Sequence, residues 1–263
     1  MRVYWEIAKK SFQRHLAYRA ANVAGILTNT FFGAIYVYIY LAVLRERGPI
    51  GGLDAQGAVT YVVVSQSLLM AMSAFGNREL SEAIIRGDIV IDFIRPLHFY
   101  RFWAALDLGR ALYYLLLRGI PTFLIGWALF DIRLPSDPVP WLLFVVCLAL
   151  GMAISFAFRF ITSSLAFWIT DARGINYLTS TLILFLSGFI VPVNFFPDRL
   201  RSVVEWLPFR SLSHLPINVL LGNVTGAELG RALIVASAWL FGLILIGHGV
   251  LRVVTRRLTA HGG

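Results

Sequence analysis

The chain is organised by apolar runs of about the length that a helix needs to cross a bilayer, roughly 20 residues. Six runs cover residues 23–44, 58–75, 103–130, 141–169, 175–191 and 229–254. The pattern predicts an all-α polytopic membrane protein, six transmembrane helices in a single domain over residues 1–263. Two other patterns frame them. At 100° per residue, Tyr4, Trp5, Ile7, Ala8, Phe12, Leu16 and Tyr18 share one half of a helix, and Arg2, Glu6, Lys9, Lys10, Gln13 and Arg14 the other. Residues 1–22 therefore read as an amphipathic helix lying in the interface before the first span. Residues 192–228 carry Pro192, Pro197, Pro208 and Pro216, which leave only short helical pieces. Asp198 is placed to cap one piece and Ser211 another. About ten residues rise about 15 Å, half the hydrocarbon thickness, so these pieces are expected to re-enter from the outer face.

Between the second and third runs lies a polar stretch, residues 77–96, with its own helix punctuation. Asn77 can cap a helix start, Glu79 and Glu82 sit near its positive end, and Arg86 lies in the last turn. Gly87 is placed for the left-handed position just beyond it. Asp88 restarts the chain for a shorter apolar turn and Pro96 stops it. A plain return loop needs no such organisation, so the stretch reads as a docking surface: residues 78–86 as the docking helix, residues 89–94 as an apolar segment lying back on the membrane.

Composition agrees with a bilayer as solvent: of 263 residues, 58% are hydrophobic and only 14% charged. The net charge of +9 fits basic residues gathered on the cytoplasmic side, and no basic-aromatic cluster suggests nucleic acid. With six spans the inside segments hold Arg2, Lys9, Lys10, Arg14, Arg19, Arg78, Arg86, Arg95, Arg101, Arg173, Arg252, Arg256 and Arg257. The outside segments hold Arg45, Arg47, Arg133, Arg199, Arg201, Arg210 and Arg231. The larger inside set places both termini and the docking stretch in the cytosol. The first 22 residues have no continuous apolar core, so no cleavable signal peptide is expected. The single cysteine, Cys147, lies in an apolar run and reads as a buried hydrophobe.

No GxxxxGK[ST] phosphate loop, HExxH or GxSxG motif occurs, and no paired metal-ligand spacing. The notable charges inside the runs are Asp107, Arg110, Arg118 and Arg159. Asp107, Arg110, Tyr114 and Arg118 fall within about an 80° arc, and Asp107 can pair with Arg110 one turn away. Arg159 shares a face with Ser155, Thr162 and Ser163. Such stripes should face protein or a watery cavity. They read either as a translocation wall that attracts anionic groups, with Arg118, Arg159, Ser155 and Asn176 as path candidates, or as ties between helices. A membrane enzyme acting on a lipid is an alternative, with His214 and Glu205 as its acid-base pair; a self-powered transporter is another.

Three segments carry a family resemblance: LSEAIIRGDIVIDFIRPL at residues 80–97, LSGFIVPVNFFP at 186–197 with WLPF at 206–209, and the tail RRLTAHGG at 256–263. With them the chain resembles permease subunits of the ABC type-2 exporters, in the daunorubicin-resistance-like branch of six-span bacterial permeases. The resemblance implies a protein of the bacterial plasma membrane that moves a hydrophobic or amphipathic substrate outward. It also implies a coupling helix in the first inner loop that docks onto a separate ABC ATPase, with Glu79, Glu82, Arg86, Asp88 and Asp92 as ATPase-facing residues. The implied assembly has two ATPase subunits and a second permease, identical or homologous. ATP-Mg is held by the ATPase and no cofactor by this chain, which is then not itself an enzyme. The docked helix is expected to drive the first, second and fifth spans.

Overall fold

The computed structural model describes the backbone of residues 2–260 and the side chains of residues 2–255. The side chains of the 256–263 tail, one of the three resembling segments, lie outside these. Among the described residues the regular elements are helices, apart from one antiparallel bridge between Ile50 and Leu53. Four helical stretches are long and apolar enough to cross a membrane. They are α2 (Arg19–Arg47), the unbroken rod Phe99–Leu129, the rod Pro138–Phe167 and α12 (Gly226–Ala260). The first rod is α6 (Phe99–Tyr114), a π turn (Leu115–Gly119) and α7 (Ile120–Leu129); the second is α8 (Pro138–Ser164) and a 3₁₀ turn (Leu165–Phe167).

Full-length helices thus account for four of the six expected spans. The runs at 58–75 and 175–191 form α3 (Ala55–Leu68) and α9 (Arg173–Leu186), of 14 residues each. That length rises about 21 Å, short of the roughly 30 Å of hydrocarbon. Both helices stop while the sequence is still apolar, and side chains from elsewhere take up the carbonyls they release. Beyond α3, Arg110 donates to the Met70 and Ala71 carbonyls at 3.0 and 3.1 Å, and Ser155 to Met72 at 2.6 Å. Beyond α9, the Tyr61 hydroxyl donates to Gly188 at 3.1 Å, the Tyr40 hydroxyl to Ile190, and the His214 N–H to Ser187 at 3.1 Å. Irregular backbone of this kind is tolerated at depth only when protein satisfies it.

The amino-terminal helix α1 (Arg2–Leu16) is amphipathic as expected and packs along α6. Ala8 and Ser11 are its buried residues, and Ser11 donates to the Leu106 carbonyl at 2.7 Å. In the proline-rich region, α10 (Asp198–Trp206) and α11 (His214–Leu220) are the short pieces expected, but their caps differ. Asp198 is the first helical residue, after Pro197, and makes no cap; Ser211 belongs to a separate turn, and Ser213 precedes α11 without capping it. All seven residues of α11 are buried. They join the main core, where Ile217 and Leu220 meet Tyr61, Leu68 and Met72 beyond α3, and Ile154 of α8. A second core gathers Leu80, Ile84 and Ile89 against Phe99, Trp103 and Phe160 at the end that carries the polar stretch.

Candidate functional site

The polar stretch folds as its punctuation dictates. Asn77 Oδ1 accepts the Glu79 N–H at 3.1 Å, opening α4 (Glu79–Arg86). Gly87 closes the helix in the left-handed region (φ +79°), its N–H donating to the Ile84 carbonyl at 3.1 Å. Leu80 and Ile84 turn into the second core, so the opposite face, Glu82, Ile85, Arg86 and Asp88, is exposed. Glu82 and Arg86 pair across one turn at 2.8 Å. The other two expected docking residues are used within the chain. Glu79 takes both terminal nitrogens of Arg14, at 2.7 and 3.1 Å, and this bond raises the Arg14 pKa. Asp92, whose side chain is 12% exposed, pairs with Arg95 at 3.0 Å. Burial raises the Asp92 pKa against the pull of that arginine. In α5 (Ile89–Ile94), Ile89 enters the core while Val90, Ile91 and Ile94 stay exposed.

Helix α4 is joined to three neighbours. Arg14–Glu79 ties it to α1. Leu80 and Ile84 seat it against the end of the second rod. Ser81 accepts Asn176 Nδ2 at 3.0 Å, and the Arg78 guanidinium lies 4.8 Å from the Tyr177 ring centre, both on α9. Asn176, a path candidate in the sequence, is therefore a buried tie between α4 and α9. The packing reaches the fourth expected span as well as the fifth.

Asp107 organises the buried charges. Its carboxylate accepts Arg110 Nε at 2.9 Å and Arg159 Nη2 at 2.9 Å, and all three residues are buried. Arg159 also donates to Ser155 Oγ at 3.3 Å. Arg110 goes on to the carbonyls beyond α3, and Ser155 to the next one along. These groups form one knot joining α6, α8 and the broken end of α3. Ser155 and Arg159 act in it as interhelix ties, and the nearest cavity, bounded by Asp107 and Arg159, is only about 20 Å³. The Asp107–Arg110 pair follows from their spacing. Arg159, 52 residues away, could not be placed from sequence.

Arg118, in the π turn at Leu115–Gly119, shares a cavity with Tyr114 and meets α2 rather than the knot. There its Nη2 donates to Asn29 Oδ1 at 3.0 Å, and Asn29 donates to the Gln66 carbonyl at 3.1 Å. Of the four path candidates, Arg118 lines the largest spaces: cavities of about 460 and 230 Å³. In the proline-rich region, His214 is buried and its Nδ1 lies 3.1 Å from Asn218 Nδ2. Glu205 instead borders a crevice of about 10 Å³ with Arg210 and Arg231, which His214 does not line.

The model of one protein family, described as ABC-2 family transporter protein, matches residues 30–262. None of the curated proteins matches the chain.

Proposed function

We propose that this chain, which belongs to the ABC-2 transporter family, is the permease subunit of an ATP-driven exporter working with a separate ATPase. Membership makes it a multi-pass membrane transport component and not itself the catalyst. In this reading α3 and α9, completed by their irregular continuations, are the second and fifth of six crossings. Both termini lie in the cytosol of a bacterium with the docking stretch. The cargo is hydrophobic or amphipathic, and two ATPase subunits, which hold ATP-Mg, serve two permeases, identical or homologous. α1, α4 and the loop to α6 share one end of the molecule: Arg14 meets Glu79, and the His98 N–H donates to the Tyr4 hydroxyl at 3.2 Å.

The observation that carries the reading is the exposed face of α4, Glu82, Ile85 and Arg86, with Asp88 just beyond its end, on a helix fastened from behind to three elements. Closure of the ATPase pair on ATP displaces this face. The Ser81–Asn176 bond and the Leu80–Ile84 seat pass the displacement to α9 and α8, and Glu79 passes it to α1. A single-cysteine chain tests the contact, Asp88→Cys with the buried Cys147 replaced by serine. A short bifunctional reagent should link it to the ATPase, with a yield that changes on adding ATP. Linkage instead from Val203→Cys on α10, and none from Asp88→Cys, would refute the docking.

A further inference from the structure

Four guanidiniums lie within the rods Phe99–Leu129 and Pro138–Phe167, the exposed Arg101 in a first turn and three further in. Arg110 and Arg159 share Asp107, whereas Arg118 makes no ion pair among the described residues. Its one polar partner is the neutral amide of Asn29, and its Nε is shielded from solvent with no hydrogen-bond acceptor. A cation held this way at membrane depth is unsatisfied in charge and in hydrogen bonding. It is nonetheless firmly placed. The guanidinium lies against Gly25 of α2, where any Cβ would overlap its Cζ and both terminal nitrogens. That glycine is a slot for the group.

Both spaces beside the slot border Arg118. The smaller, about 230 Å³, is lined by polar and apolar groups alike and lies toward α1, with His15, Tyr18, Asn22 and Tyr114 around it. Asn22 Oδ1 there is also buried and unpartnered. The larger, about 460 Å³, is walled mainly by apolar side chains of α2 and of the stretches that continue α3 and α9. Phe32, Phe75 and Ile190 at its edge are 48, 58 and 36% exposed, so it opens sideways at the protein surface. Its volume falls within the roughly 300–1,000 Å³ of small-molecule sites. A cation at the edge of a largely apolar chamber, with a chamber of mixed lining on its other side, matches a ligand with a negative head and a hydrocarbon tail.

We propose that the Arg118 cavities bind an anionic amphiphile, its phosphate or carboxylate head on the guanidinium and its tail in the larger chamber. As a statement of cargo this rests on the permease reading; as a binding site it does not. The test uses the purified full-length chain in phosphatidylcholine nanodiscs, without ATPase. Bound dansyl-undecanoate is displaced by dodecyl phosphate, dodecyl maltoside or inorganic phosphate. Dodecyl phosphate should compete saturably, and the other two should not. Arg118→Gln and Gly25→Ala should each weaken it about tenfold or more, the loss of a charge-assisted bond, with Arg118→Lys recovering part. Equal competition by the maltoside or by inorganic phosphate would overturn the proposal. So would unchanged affinity in the variants; should Arg118→Gln not fold, Gly25→Ala decides. Binding with no ATP-driven transport would refute the permease reading and leave the site standing. Transport of neutral cargo without binding would do the reverse.

Discussion

Asp107 is shared by two guanidiniums in the protein interior, so the knot is asymmetric: removing either arginine leaves a pair, while removing the acid leaves two buried cations. Asp107→Asn should therefore cost about 3–5 kcal/mol, read as a lower midpoint in SDS unfolding, and Glu82→Gln on the exposed helix face little. His15 supplies a pH effect. It is half-buried beneath Tyr113 and Tyr114, with ring centres 5.5 and 5.6 Å away, and its Nδ1 lies 2.8 Å from the Ser11 carbonyl. Burial holds its pKa below 6.5, the nearby Arg14 and Arg110 adding to the shift while the Ser11 carbonyl and Glu79 oppose it. The unfolded chain then binds more protons than the folded one near that pH, so stability rises with pH and declines as pH falls below about 6.5. Thermal midpoints between pH 7.5 and 5.5 should show the decline, and His15→Gln should flatten it. At this scale the sequence revealed what spacing along one helix reveals, the Asp107–Arg110 pair. The partner of Arg118, Asn29 on another helix, was not legible for the same reason.

Helix α1 lies so close to α6 that Gly109 has no room for a side chain: a Cβ there would overlap the Ala8 carbonyl. Gly109→Ala should push the two helices apart at a cost of about 1–3 kcal/mol, and limited proteolysis should then cut within α1 faster than in the wild-type chain. The amphipathic α1 and the punctuated α4 were legible because caps, glycine and face pattern are local properties. The ends of α3 and α9 were not. Their sequences stay apolar past the last helical turn, and the groups that satisfy the freed carbonyls, such as Arg110, Ser155, Tyr40 and Tyr61, are remote in sequence. An apolar run therefore overstates helix length.

On the scale of the whole molecule, the proposed docking puts the entry of force at the exposed face of α4, whose seat on α8 leads to the Asp107 knot with α6 and the end of α3. Family membership was legible from the segments at 80–97 and 186–197, whose roles are to build α4 and to end α9. The division of the charged stretch was not: Glu79 and Asp92 resemble Glu82 and Asp88 in sequence, and only packing turns the first pair inward. The most direct test is the swap Glu82→Lys with Arg86→Glu, which keeps the pair across one helical turn and inverts the face offered outward. The swapped chain should unfold at the wild-type midpoint yet fail to retain its ABC ATPase on co-purification. Retention of the ATPase in wild-type amounts would contradict the assignment of α4 as the docking helix.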